Sequence, residues 1–310
     1  MLKDNHTMVT EFILVGLHNL HSYRILIFIF LTIMYTVTIA GNVLIIVLVS
    51  TNHQLQSPMY IFLSHLSFAD ILISTNISPN ALQVILLGKI TIPAANCLTQ
   101  LYFFGASAII ESCLLTVMSY DRYLAICKPL HYSSVMNYRL LQYLVIWSWT
   151  SGFVVSGISH IFILNLNFCS INVIDHFFCD LAPILELSCS DTSSVQIVVS
   201  IAATFMSLFQ FVLVIITYIC IFTSILQISS SKGRQKAFST CSAHLIVVCM
   251  FYGTMIILYI APSKGYSVNL NKILSVLNTV VTPLFNPVIY TLRNKDIRVT
   301  LKKKCSCGRS

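Results

Sequence analysis

Residues 118–131 read MSYDRYLAICKPLH, a run in which Asp121 and Arg122 break apolar sequence just before a basic, proline-containing turn. Upstream, from Cys97 to Val117, about twenty mostly apolar residues suffice for a helix rising about 1.5 Å per residue to cross a hydrocarbon layer roughly 30 Å thick. Asp121 and Arg122 are then expected where that helix leaves the membrane. Bare burial of either charge is costly, so the two pair with each other or with neighbours. On spacing alone they fit a snorkelling interfacial pair as well as a functional switch.

Glu111 stands eleven residues before Arg122, close to three helical turns, so both point the same way. Ionisable groups inside a membrane face a bundle interior or a watery cavity, which makes this the inward face. Continued outward, it carries Ala108, Phe104, Leu101 and Cys97.

Composition sets the class. Hydrophobic residues make up 56% of the chain and charged residues 9%, and mean hydropathy is +0.84. A soluble domain could not cover its surface with so few charges. The net charge of +8 is gathered in short segments between apolar runs, where it reports topology and not a nucleic-acid footprint.

Those runs fall at about 24–50, 58–87, 98–120, 140–164, 195–228, 238–262 and 270–292, each long enough to span. Unbroken apolarity favours helices over barrel strands, which would alternate every second residue. The expected fold is an all-α membrane protein: one seven-transmembrane helix bundle over 1–310, with an outer segment 1–23 and an inner tail 293–310 that begins with a short helix.

Lys and Arg set the orientation. Arg122, Lys128 and Arg139 flank the third connection, Lys232, Arg234 and Lys236 fill the fifth, and seven basic residues from Arg293 to Arg309 crowd the tail. The stretch from Asn165 to Gln196 carries Asp175, Asp180, Glu186 and Asp191 and no Lys or Arg. The C-terminus is therefore expected in the cytoplasm and the N-terminus outside. Asn5-His6-Thr7 is a glycosylation acceptor on the matching side. No signal-peptide pattern precedes the first span, which is expected to act as its own insertion signal.

Eleven cysteines form separate populations. Cys97, Cys169, Cys179 and Cys189 lie at the oxidising outer face, where three pairings are open. Cys113, Cys127, Cys220, Cys241 and Cys249 read as small core residues. Cys305 and Cys307, beside Lys302, Lys303 and Lys304, are candidates for palmitoylation and a poor metal site.

Asp70 is a lone acid in the second span, and in the seventh Pro283 and Pro287 bracket Asn286 before Tyr290. A proline frees a backbone carbonyl that then needs a polar neighbour or water. Asp70, Glu111, Asn286 and Asn42 thus read as one polar interior, either a static plug or a network that rearranges when helices move.

GNVLI at 41–45, PMYIFL at 58–63, LSFAD at 66–70, MSYDRYLAIC at 118–127, KAFSTCSAHL at 236–245 and PLFNPVIYTLRN at 283–294 together resemble the odorant receptor family of rhodopsin-like G-protein-coupled receptors, in its tetrapod-type group. The resemblance covers essentially the whole chain. Departures are small: Ser119, Gln56 and Ala243 stand where the family more often has Ala, His and Ser.

The resemblance implies an odorant receptor that activates a stimulatory heterotrimeric G protein and raises cyclic AMP, in the plasma membrane, with the lipid bilayer as surroundings and no nucleic acid. It assigns Asp121, Arg122 and Tyr123 to the cytoplasmic switch, with Tyr218 and Tyr290 closing around Arg122 on activation. Lys236 to His244 would line the inner end of the sixth helix, and Asn286 and Pro287 belong to the moving seventh. Asp70 and Glu111 match the family's two mid-membrane acids, a sodium site, and no other cofactor is implied. Family pairing joins Cys97 to Cys179 and Cys169 to Cys189.

For the ligand, the third helix offers Phe104, Gly105, Ala108, Ile109 and Ser112. By family position these are joined by Met206, Tyr252, Met255, Tyr259, Val276 and Thr279. Apart from Glu111, deeper down, no acid is expected to face this space, nor any basic residue to hold a carboxylate. The expected ligand is therefore small, neutral and apolar, with one hydrogen-bonding group for Ser112, Tyr259 or Thr279. A receptor for another small ligand is the nearer rival. A transporter using the intramembrane acids lacks any sign of inverted repeats, and an enzyme lacks a His-x-x-x-His or Gly-x-Ser-x-Gly arrangement, so no catalytic residue is expected.

Overall fold

The computed structural model describes residues 9–16, 23–169, 172–260, 268–294 and 297–301. Seven long helices carry the fold. They are α1 (Arg24–Thr51), α2 (Pro58–Leu87), α3 (Ala94–Cys127), α4 (Tyr138–Leu164), α5 (Ser193–Leu226), α6 (Ser231–Ile260) and α7, built from Val268–Val276, Leu277–Val281 and Thr282–Arg293. Residues 297–301 form part of a short helix after α7.

The first six helices have between 27 and 34 residues, more than a 30 Å hydrocarbon layer needs at about 1.5 Å per residue. The helices therefore outrun some of the apolar sequence. α3 continues seven residues beyond 120, so Asp121 and Arg122 lie inside the helix and not at its end. α6 begins seven residues before 238 and takes Lys232, Arg234 and Lys236 into its first turns. That basic start leaves α6 with a shorter apolar stretch, Cys241–Thr254, among the described residues.

Burial shows which helix is central. In α3, 67% of the apolar window is buried, against 17% in α4 and α5, whose remaining faces turn to lipid. The stripe from Cys97 to Glu111 can thus reach most of the bundle from one helix.

The chain between spans is punctuated by local chemistry. Pro58 opens α2 at its first turn, where a missing N–H costs nothing. Gly88 closes α2 with φ +85, a conformation that favours glycine, and its N–H bonds to the Val84 carbonyl. Asn137 caps α4 by accepting the Leu140 N–H at 2.9 Å.

At the outer ends of α2 and α3, three short strands form a cap. The segment Glu11–Val15 (β1) lies between Lys89–Pro93 (β2), antiparallel, and Val173–Ile174 (β3), parallel. In EFILV, Phe12 and Leu14, two residues apart on one face, are fully buried. Phe12 meets Phe168 edge-on at 5.3 Å. Two disulfides fasten the cap, Cys97–Cys179 to α3 and Cys169–Cys189 within the second outer loop.

Candidate functional site

The middle of the bundle is organised by one missing proton donor. Pro287 has no N–H for the carbonyl of Pro283, four residues earlier, and the side-chain amide of Asn42 on α1 donates to that carbonyl at 3.1 Å. The backbones of α1 and α7 lie close here: a Cβ on Gly41 would stand 3.1 Å from the Pro287 ring. Just before Pro283, α7 makes a wide turn over Leu277–Val281, in which the Thr282 N–H bonds back to the Leu277 carbonyl.

Asn286 donates to both oxygens of Asp70, at 3.0 Å each. Glu111 on α3 is in hydrogen-bond contact with Asp70, and its Oε1 is buried with no partner among the described residues. The Ser74 hydroxyl, one turn outward from Asp70, is likewise buried and unpartnered. Two carboxyl groups in contact and out of water need a positive charge between them, a proton or a cation. Of the four residues read as one polar interior, Asp70, Glu111 and Asn286 share hydrogen bonds, whereas Asn42 bonds to the backbone carbonyls of Thr38 and Pro283.

Just inward of this layer, Ser112 Oγ donates to Gln210 Oε1 on α5, and Gln210 Nε2 reaches Cys113 Sγ at 3.1 Å. Thr116 and the Tyr252 hydroxyl on α6 share a 3.3 Å hydrogen bond. Tyr252 rests on Phe211 and Phe251. Gln210 was missed by the sequence reading, although an amide in the middle of the apolar run 195–228, far from Gln196 and Gln227 at its ends, is the signal of an interhelical hydrogen bond.

Farther out, Phe104 packs edge-on against Phe178 of the outer loop at 5.2 Å, with Val276, Ile73, Ile77 and Phe177 around them. Phe104 and Val276 are thus brought together, while Ala108, Ile109 and Met206 are half-buried on α3 and α5. Thr279 is buried, with its hydroxyl donated to the Ser275 carbonyl at 2.7 Å. Gly105 lies elsewhere: its α-carbon faces α4, where a Cβ would stand 3.0 Å from Ser156 Oγ, so it serves helix packing and not the ligand face. Met255, Tyr259 and Lys236 fall outside the described side chains, and Asn5, Cys305 and Cys307 outside the described residues.

Two further expectations are overturned. Cys249 is exposed on α6 and is no core residue, because its side of the helix faces away from the bundle. The outer half also holds a basic residue after all. Lys272, near the start of the seventh apolar run, is buried with its Nζ 2.6 Å from Asp175 Oδ1. Helical spacing explains why: Lys272 stands four and seven residues before Val276 and Thr279, on their inward face.

At the inner end, Asp121 is buried and shared. Tyr132 of the second inner connection donates to its Oδ1 at 2.8 Å, and Arg122 Nη2 lies 3.8 Å from Oδ2. The Arg122 Nε is buried without a partner among the described residues, and so is the Tyr290 hydroxyl. Tyr218 is not on Arg122 here; its hydroxyl is 2.5 Å from His244 Nδ1 and joins α5 to α6. Tyr123 packs beside Tyr218 and Cys241.

A family model described as olfactory receptor matches residues 31–307. The chain belongs to the olfactory receptor family. Olfactory receptor 6C3 of Homo sapiens is 46% identical over 298 residues, covering 96% of each chain. Olfactory receptor 11A1 of Homo sapiens is 46% identical over 303 residues, covering 98% of this chain and 96% of that one. Squid rhodopsin matches in structure with a TM-score of 0.73 at 16% identity, over 91% of this chain and 80% of its own, which shows the shared seven-helix fold alone. The receptor is a multi-pass membrane protein with the fold of rhodopsin, and its family consists of receptors and not enzymes.

Proposed function

We propose that this receptor binds small, mainly apolar volatile molecules among the outer halves of its helices and thereby activates a stimulatory heterotrimeric G protein, raising cyclic AMP. Its place is the plasma membrane, with the N-terminus outside and the basic tail in the cytoplasm.

One arrangement carries the reading. α3 alone bears both the aromatic contact under the outer cap, Phe104 on Phe178, and the acid and guanidinium at the inner mouth, Asp121 and Arg122. A guest seated at the first can bias how the second is packed. It does so by binding one arrangement of the bundle better than the other, and it shifts the balance only by that difference. Small volatiles offer few atoms, at best about 1.5 kcal/mol each and usually much less, so responses belong in the micromolar range.

Asp70 and Glu111 would hold a sodium ion, and the unpartnered Glu111 Oε1 and Ser74 hydroxyl fit a hard cation that prefers oxygen. Such an ion supplies the charge that lets both carboxylates stay in the membrane interior.

Ligand-dependent nucleotide exchange on a stimulatory G protein, lost in Arg122→Ala at normal surface expression, tests the coupling. Single replacement of Phe104, Tyr252 and Tyr259 tests the site. Unchanged potency in all three would overturn it.

A further inference from the structure

Lys272 tops the inward face of α7. Val276, one turn deeper, packs with Phe177, Phe178 and Phe104. The Lys272 side chain is 4% exposed, yet its partner Asp175 is 54% exposed. A deeply buried ammonium is thus neutralised by a carboxylate that stands half in water and can return to it at little cost. Its other contact, the Gly16 carbonyl, is long at 3.5 Å. An ammonium has three N–H donors, so capacity remains.

His176 lies beside it. Both ring nitrogens are buried with no side-chain partner among the described residues, though the Phe178 backbone is within reach. The ring stands edge-on to Phe178 with centroids 4.6 Å apart, and Phe178 in turn meets Phe104. Burial, reinforced by the Lys272 charge, pushes the His176 imidazole down to about 4. It therefore stays neutral at the outer surface and keeps one N–H to offer.

We infer that Lys272 is an anchor for a carboxylate, so that this receptor takes small organic acids whose apolar tail lies among Phe104, Phe178 and Val276. The acid's carboxylate replaces Asp175 at the ammonium, which conserves the count of charges, and the second oxygen accepts from His176. The gain comes from the tail, because one carboxylate is exchanged for another. This inference rests on the outer-half ligand site proposed above.

Cyclic-AMP responses to medium-chain carboxylic acids, their methyl esters and the matching primary alcohols test it in cells expressing the full receptor. In the native protein the acids should be the most potent. Lys272→Met should weaken the acids at least tenfold and leave the esters unchanged, while Lys272→Arg at matched surface expression keeps the acid preference. Asp175→Asn should raise acid potency several-fold by removing the competing carboxylate. Esters equal to acids, or Lys272→Met shifting both classes alike, would overturn the inference. So would an Asp175→Asn receptor with raised ligand-free signal and the same acid preference, since the pair would then be a strap on the outer loop. Arg122-dependent responses to neutral compounds alone defeat the acid anchor and leave the receptor reading standing. No Arg122-dependent response to any of the three classes defeats both.

Discussion

The Asn42 amide meets the Pro283 carbonyl across 241 residues of chain, at the one place in α7 where Pro287 withholds the N–H that carbonyl would otherwise bond. The contact repairs a local defect in one helix with a side chain from another, and in doing so fixes how α1 lies on α7. Its second hydrogen bond, 3.0 Å to the Thr38 carbonyl, holds the amide in that orientation.

Asn42→Leu should therefore destabilise the receptor by about 1–3 kcal/mol, the cost of a buried carbonyl left unpaired. Thermal melts in nanodiscs would show it as a fall of several degrees. Adding Pro287→Ala supplies the missing N–H, so Asn42→Leu should cost measurably less in that background. Equal costs in both backgrounds would mean that the amide serves something other than the freed carbonyl.

Sodium should raise the melting temperature of the ligand-free receptor relative to an equal concentration of a large organic cation. Asp70→Asn and Glu111→Gln should each abolish that difference, because each removes one of the two carboxylates that touch. If the double variant still responds to sodium, the ion sits elsewhere.

Much of this arrangement was readable before any coordinates. Prolines four apart with an asparagine between them, and lone acids in apolar runs, announce their need for partners because a membrane interior offers no water. What stayed hidden depended on geometry between elements. No basic residue was expected in the outer half because the burial of Lys272 is produced by Asp175, which arrives from a loop 97 residues earlier. Gly105 read as ligand-facing because the angular position of α4 is not written in α3. The strand Glu11–Val15 is too short to give a clear alternation and gains its meaning only from β2 and β3 on either side.

Tyr132 and Arg122 compete for one buried carboxylate, Asp121, at 2.8 Å and 3.8 Å. Removing the tyrosine hydroxyl leaves Asp121 to the guanidinium alone, which tightens the pair and opposes release of Arg122 toward a G protein. Tyr132→Phe should lower ligand-free nucleotide exchange several-fold, the size expected from about 1 kcal/mol of redistributed hydrogen bonding. Basal exchange that is unchanged or higher would show that Tyr132 restrains the receptor instead.

The outer cap should weaken in acid, and His176 gives the sign. Its imidazole is pushed from 6.5 down to about 4, by burial first and by the Lys272 charge second, with Asp175 and the Phe178 backbone opposing. Between those values the unfolded chain binds a proton that the folded cap refuses. The stability it contributes is therefore complete above about pH 6.5 and is lost as the pH falls toward 4, by roughly 3 kcal/mol at about 1.4 kcal/mol per unit. Hydrogen exchange in residues 173–179 at pH 7.5 and 5 would report the loss, and His176→Phe should reduce the difference between the two. Lys272→Met should also reduce it, by letting the imidazole take its proton at higher pH, and Asp175→Asn should not. A pH difference that survives both His176→Phe and Lys272→Met would place the acid sensitivity in other groups.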